Sequence, residues 1–130
     1  MAYYLDTSAL VKLVVAEAET AALRTWLGAT DRSPVSCDLA RTELLRAARR
    51  AVPDRVIRAR EVLDSITLVE VTTQTFEAAA RLEPTILRTL DAVHLAAALD
   101  LGDELEGMVT YDDRLADAAR FSGIPVMSPS

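Results

Sequence analysis

Residues 2–15 read AYYLDTSALVKLVV. A short β-type run, AYYL, ends in an acid at Asp6, and Ser8 then reads as the cap of a helix through SALVKLVV. A second helical stretch runs from Glu17 to Leu27. The same alternation recurs down the chain. PVSCD is the next strand, with Asp38 as N-cap of the helix LARTELLRAARRAV. Pro53 breaks that helix and starts another, PDRVIRAREVLDSI. TLVEV reads as a third strand and TQTFEAAARL as the helix after it. LDAVHLAAALDLG is a helix that closes at Gly102, MVTYD a fourth strand, DRLADAARFSG a helix ending at Gly123, and IPVMS a last short strand. Strands alternating with helices predict an α/β fold, a three-layer α/β/α arrangement around a central, mostly parallel sheet.

At 130 residues the expectation is one domain, residues 1–130, with no repeat or linker. The only cysteine, Cys37, has no intrachain partner for a disulfide, which fits a reducing compartment. ALVKLVV is too short to span a bilayer and is interrupted by Lys12, so no membrane partner and a cytoplasmic location are expected. A net charge of −6 argues at first against a nucleic-acid binder. The distribution qualifies the sum: seven of the fourteen basic residues lie between Arg41 and Arg60, and all seven are Arg.

The stretch LDAVHLAAAL, residues 90–99, poses a chemical question, because this apolar helix carries Asp91 on its first turn. An ionised carboxylate buried without a partner costs several kcal/mol. In open parallel sheets, ligands bind beyond the carboxyl ends of the strands. Asp6 follows the first strand and Asp112 follows MVTY, so both emerge at that edge. Asp91 and Glu43 lie early in helices that start there. Two such charges about 4 Å apart repel by roughly 4 kcal/mol at an effective dielectric of 20. Four of them in one cleft therefore call for protonation or a cation. Hard oxygen donors suit Mg²⁺ or Mn²⁺, which polarise phosphoryl oxygens and activate water against a phosphodiester.

Each acid also has an ordinary reading. Asp91 suits a helix start through the macrodipole, and Glu43 shares a helix stripe with Arg46 and Arg50 at i+3 and i+7. Asp112 and Asp6 are each placed to cap the helix that follows. The four together at one sheet edge favour a site.

These residues bring out a resemblance. YLDTSALVKL, LARTELLRA, LRTLDAVHLAAAL and VTYDDRLADAA, in this order and spacing, resemble the PIN-domain ribonucleases, specifically the VapC toxins of bacterial VapBC toxin–antitoxin pairs. The similarity covers essentially the whole chain. It implies a PIN-like fold, metal-dependent endoribonuclease activity on structured RNA such as transfer RNA or a ribosomal loop, a homodimer, and a cognate VapB-like antitoxin. The family's acidic quartet falls on Asp6, Glu43, Asp91 and Asp112. Its pattern sets the last acid two residues after a Thr, which selects Asp112 over Asp113.

Thr7, Ser8, Thr110 and Asp113 are read as neighbours that orient these acids, the hydroxyls serving equally well as caps. His94, one turn after Asp91, reads as a packing or capping residue and not as a general base. The segment from Arg41 to Arg60 suits RNA phosphates, an acidic stretch of antitoxin, or a solvated face with ion pairs such as Asp54 with Arg58. Within it, Arg46 and Arg50 are the candidates for RNA or antitoxin contact, joined by Arg88 ahead of the Asp91 helix. Trp26, Tyr3, Tyr4, Phe76 and Phe121 read as core or interface.

Two other Mg²⁺-dependent classes fit less well. A haloacid-dehalogenase-like phosphatase wants a second acid two residues after the first, where this chain has Ser8. A receiver domain wants a late Lys, and the only lysine is Lys12. A non-catalytic module that uses the acidic cleft to hold a basic partner is the remaining competitor.

Overall fold

The structure is a computed structural model that describes residues 1–29 and 31–130. Among the described residues five strands, β1 (Ala2–Leu5), β2 (Ser33–Cys37), β3 (Thr67–Val69), β4 (Leu105–Val109) and β5 (Val126–Met127), form one sheet in the order β3-β2-β1-β4-β5. Every neighbouring pair is parallel. The helices are α1 (Thr7–Val14), α2 (Thr20–Leu27), α3 (Asp38–Ala51), α4 (Val56–Ser65), α5 (Thr73–Ala80), α6 (Thr89–Leu99) and α7 (Asp113–Phe121).

Side chains alternate across a strand, and the two faces of β1 show where the core divides. Leu5 packs with Leu10, Leu13, Leu44 and Leu63 of α1, α3 and α4. Tyr4 points the other way, toward Leu95 of α6 and Leu115 of α7. Helices therefore cover both faces of a parallel sheet, the expected three-layer arrangement. No described helix is long and apolar enough to cross a membrane.

Strand order reverses direction between β1 and β4. From β1 the chain moves outward through β2 to β3, then returns to place β4 on the other side of β1. The crevice beyond the carboxyl ends of β1 and β4 is where such sheets bind ligands.

Several element ends differ from the sequence expectation. The N-cap of α1 is Asp6 and not Ser8, because Asp6 is extended and its side chain accepts from the Ala9 N–H. Cys37 occupies the N-cap position of α3, and Asp38 is already helical. The second helix begins at Thr20 and not at Glu17, since the Thr20 hydroxyl accepts from the Glu17 N–H and donates to the Lys12 carbonyl. After Pro53 a 3₁₀ turn, Pro53–Arg55, precedes α4. α6 stops at Leu99, three residues short of Gly102. β4 ends at Val109, so Thr110 to Asp112 form the bend into α7.

α7 closes as read. Gly123 sits at φ +82, its N–H donates to the Arg120 carbonyl, and the Ile124 N–H reaches back to Ala119. That double closure needs a left-handed residue, which glycine supplies without strain. Gly107 has a different reason: a Cβ there would stand 2.9 Å from the Pro125 carbonyl oxygen, so its absence lets β5 lie against β4.

Candidate active site

Asp6 is built in by its neighbours. One oxygen, Oδ1, accepts from the Ser8 hydroxyl at 2.7 Å and the Ala9 N–H at 3.1 Å. The other, Oδ2, accepts from the Thr110 hydroxyl at 2.8 Å. The residue is only 3% exposed. Burial pushes its carboxyl above the usual carboxylate range, against the opposing effect of these three hydrogen bonds.

Asp112 is the N-cap of α7, and its Oδ1 accepts from the Arg114 and Leu115 N–H groups. Capping engages one oxygen and leaves Oδ2 without a hydrogen-bond partner among the described residues. The ordinary and the functional readings are thus compatible. The Thr110 hydroxyl also accepts from the Asp112 N–H at 3.1 Å, so one side chain ties two acids to the end of β4.

Asp91 lies on the first turn of α6, partly buried, and its carboxylate has no hydrogen bond or ion pair among the described residues. Its carboxyl is pushed up by burial and then by the negative charges of Asp112, Asp6 and Glu43. Three acids from three other elements are therefore close enough to disfavour ionisation of the fourth.

Glu43 does not pair with Arg46 or Arg50. Its Oε1 accepts from the Thr7 hydroxyl at 2.7 Å and lies 2.5 Å from His94 Nε2. Burial alone would raise its carboxyl, but the hydrogen bonds from His94 and Thr7 outweigh that and hold it below its ordinary value. His94 is 2% exposed, and its Nδ1 meets the Tyr4 hydroxyl at 2.7 Å. The sequence reading of His94 as a packing residue missed this link, whose partners lie 51 and 90 positions away.

The basic residues separate into three groups. Arg88 lines an open cleft of about 330 Å³ together with Asp91, Asp112, Asp113 and Arg114. Arg114 is the residue that sequence reasoning overlooked here. Arg46 and Arg50 line a different cleft, with Arg49, farther along α3. Arg55 and Arg58 donate to the Val14 and Leu13 carbonyls at the end of α1, a C-terminal capping role. The expected Asp54–Arg58 pair is absent from the ion pairs among the described residues. Phe76 and Phe121 are exposed, whereas Tyr4 is in the core and Tyr3 packs edge-on against Trp26.

The donor set fits a hard divalent cation. All four groups are carboxylates; burial pushes up both Asp6 and Asp91, and at Asp91 the neighbouring acids add a repulsion that a cation would relieve. Among the described residues no three His, Cys, Asp or Glu side chains approach closely enough to chelate one ion together. The arrangement therefore suits an ion held directly by one or two carboxylates with water completing its shell, the habit of Mg²⁺.

The PIN domain family matches residues 3–121. The chain belongs to the PIN-domain family. Its relatives include two ribonucleases of Mycobacterium tuberculosis. Ribonuclease VapC47 is 42% identical, with 97% of this chain and 96% of the relative covered. Ribonuclease VapC46 is 44% identical, with 99% and 98% covered. PIN nucleases of this kind hydrolyse RNA and generally depend on divalent metal. Two solved structures share the fold at low identity. One is the VapC20 toxin of M. tuberculosis, which cleaves the sarcin-ricin loop: TM-score 0.77, 16% identity, 98% of this chain and 99% of that chain covered. The other is a toxin–antitoxin complex from Klebsiella pneumoniae: TM-score 0.70, 22% identity, 98% of each chain covered.

Proposed function

We propose that this chain, acting as one domain over residues 1–130, is an endoribonuclease toxin that cuts structured cellular RNA, a transfer or ribosomal RNA. Its centre is Asp6, Glu43, Asp91 and Asp112, with Mg²⁺ as cofactor and Mn²⁺ able to substitute. The observation that carries this reading is the electrostatic state of Asp91, whose carboxyl is pushed up by burial and then by three acids drawn from the β4–α7 bend, the end of β1 and α3. A site that sets one partly buried carboxylate against three others is built to receive a cation.

When bound, the cation supplies Lewis acidity to the scissile phosphodiester and lowers the pKa of the attacking water. Of Asp6, Asp91, Asp112 and Glu43, one or two would hold it directly and the others through its bound water. Ser8 and Thr110 orient Asp6, and Thr7 orients Glu43, by the hydrogen bonds already described. Asp113 lines the same cleft and adds to its negative field. Arg88 and Arg114 flank the acids with no ion pair among the described residues, so they are placed to take substrate phosphates. Arg46 and Arg50 form a second basic patch for the RNA body or an acidic stretch of antitoxin.

The Klebsiella complex and a VapBC assembly from Rickettsia felis support a VapB-like antitoxin as partner, and a homodimer is the expected state of the toxin. A cellular RNA substrate places the activity in the cytoplasm. Incubating the protein with total RNA in Mg²⁺ and in EDTA, followed by mapping of new 5′ ends, tests the proposal. Discrete ends that appear only with Mg²⁺ support it. Tight RNA binding without cleavage in any divalent metal contradicts it and leaves a non-catalytic acidic module.

A further inference from the structure

Glu43 is the one member of the quartet carried by α3, and its side chain is long enough to turn away from the other three acids. Two donors prevent that by seizing the same oxygen, Oε1: the Thr7 hydroxyl and His94 Nε2. Oε2 has no hydrogen-bond partner among the described residues, yet the Glu43 charge is felt at Asp91. His94 is itself held. Its Nδ1 meets the Tyr4 hydroxyl, with Cys37 Sγ 3.8 Å away, and the Tyr4 and His94 rings pack edge-on with centroids 5.8 Å apart. Tyr4 and His94 are both buried among apolar side chains of β1, α6 and α7, so the imidazole has little room to rotate.

The place of one ring hydrogen follows from the partners. A carboxylate only accepts, so Nε2 carries the hydrogen that points at Glu43. The result is a chain of contacts from the sheet to an acid of the quartet: Tyr4 on β1, His94 on α6, Glu43 on α3. Asp91 sits one turn before His94 on the same helix. The helix that presents one acid directly thus fixes another through its imidazole.

We propose that His94, clamped by the Tyr4 hydroxyl, is a positioning residue that pins Glu43 Oε1 so that Oε2 stays in the acid cleft, and that it thereby sets the affinity of the cleft for a divalent cation. The inference rests on the metal-binding reading of the cleft. His94 touches neither substrate nor cation in this role. It acts through Glu43, as partners beyond a ligand commonly do, with effects of about 10- to 100-fold on metal affinity.

The test is Mn²⁺ binding by calorimetry in the absence of RNA, on the wild-type chain and on His94→Leu, His94→Gln, Glu43→Gln and the His94→Leu/Glu43→Gln double variant. His94→Leu should weaken Mn²⁺ binding by about tenfold, while His94→Gln, whose amide nitrogen can replace Nε2, should stay near wild type. In the Glu43→Gln background, His94→Leu should have no further effect, because the residue through which it acts is gone. Tyr4→Phe keeps the ring and removes only the hydroxyl clamp, so it should weaken Mn²⁺ binding in the same direction even where His94→Leu fails to fold. Wild-type affinity in folded His94→Leu, or in Tyr4→Phe where His94→Leu does not fold, overturns the proposal and leaves the nuclease reading intact. An equal loss with and without Glu43 also overturns it. A wild-type chain that binds no Mn²⁺ overturns both.

Discussion

Thr110 and Asp6, 104 positions apart in the chain, are joined by a hydrogen bond of 2.8 Å from the Thr110 hydroxyl to Asp6 Oδ2. The parallel pairing of β1 with β4, which sets Leu5 opposite Val109, delivers the two residues to the same point just beyond the sheet. The same hydroxyl accepts from the Asp112 N–H. Thr110→Val keeps the shape and removes both bonds, which should cost about 1–3 kcal/mol in chemical denaturation and lower RNA cleavage. Thr110→Ser should restore most of both. A valine variant as stable as wild type would show that the hydroxyl does not secure the two acids.

Asp91→Asn removes a charge that Asp112, Asp6 and Glu43 oppose, without changing shape. In EDTA the variant should melt at a higher temperature than wild type, because Asp91 is pushed up by burial and by its acidic neighbours. Added Mn²⁺ should raise the wild-type melting temperature more than that of the variant, as expected when a ligand binds only the folded form. Identical responses to Mn²⁺ would remove Asp91 from the cation site.

The pH dependence of stability should carry a His94 signature. Burial alone would lower the imidazole pKa, but its hydrogen bonds to Cys37 and Glu43 and the charges of both push it from 6.5 up to about 10. A raised pKa means that the folded state binds a proton more tightly than the unfolded chain. The stabilisation is therefore complete below about 6.5 and is lost as pH rises through about 10. In EDTA, the stability advantage of wild type over His94→Gln should shrink between about pH 6 and about pH 10. A constant difference would contradict the ionic link to Glu43.

Two basic pairs should contribute to RNA binding from different places. Replacing Arg88 and Arg114 by Ala should weaken RNA binding in EDTA and reduce the salt slope by about 0.7 per lost phosphate contact to single-stranded RNA. Replacing Arg46 and Arg50 should act in the same direction, without altering the acid cleft from which they are separate. A salt slope unchanged by either replacement would remove that pair from the RNA surface.

Much of the fold is legible because the chain repeats one local grammar, a short apolar run followed by a helix. Asp6 and Asp112 stand where strand gives way to helix, and their hydroxyl partners Ser8 and Thr110 lie two residues away. Such neighbours are visible to anyone reading along the chain. Glu43 is different. Its helix offers Arg46 and Arg50 at favourable spacing, but its partners are Thr7 and His94, from two other elements. Exposed side chains at i+3 and i+7 gain little from pairing in water, whereas a buried imidazole must find an acceptor and a half-buried hydroxyl shares it. Helix starts slipped for a related reason. Asp6 and not Ser8 caps α1, because the side chain that accepts from the Ala9 N–H is the cap, whatever hydroxyl follows. Arg114 went unnoticed because only the turn of α7 brings it to the cleft beside Arg88.

The central claim, that the gathered carboxylates recruit a divalent ion for RNA cleavage, is tested most directly by titrating Mn²⁺ into metal-free wild type and Asp6→Asn while following cleavage of one end-labelled RNA. Wild type should be silent in EDTA and saturate with Mn²⁺. Asp6→Asn, with an unchanged circular dichroism spectrum, should remain silent throughout. Cleavage by Asp6→Asn at the wild-type rate, or wild-type cleavage indifferent to EDTA, would contradict the account.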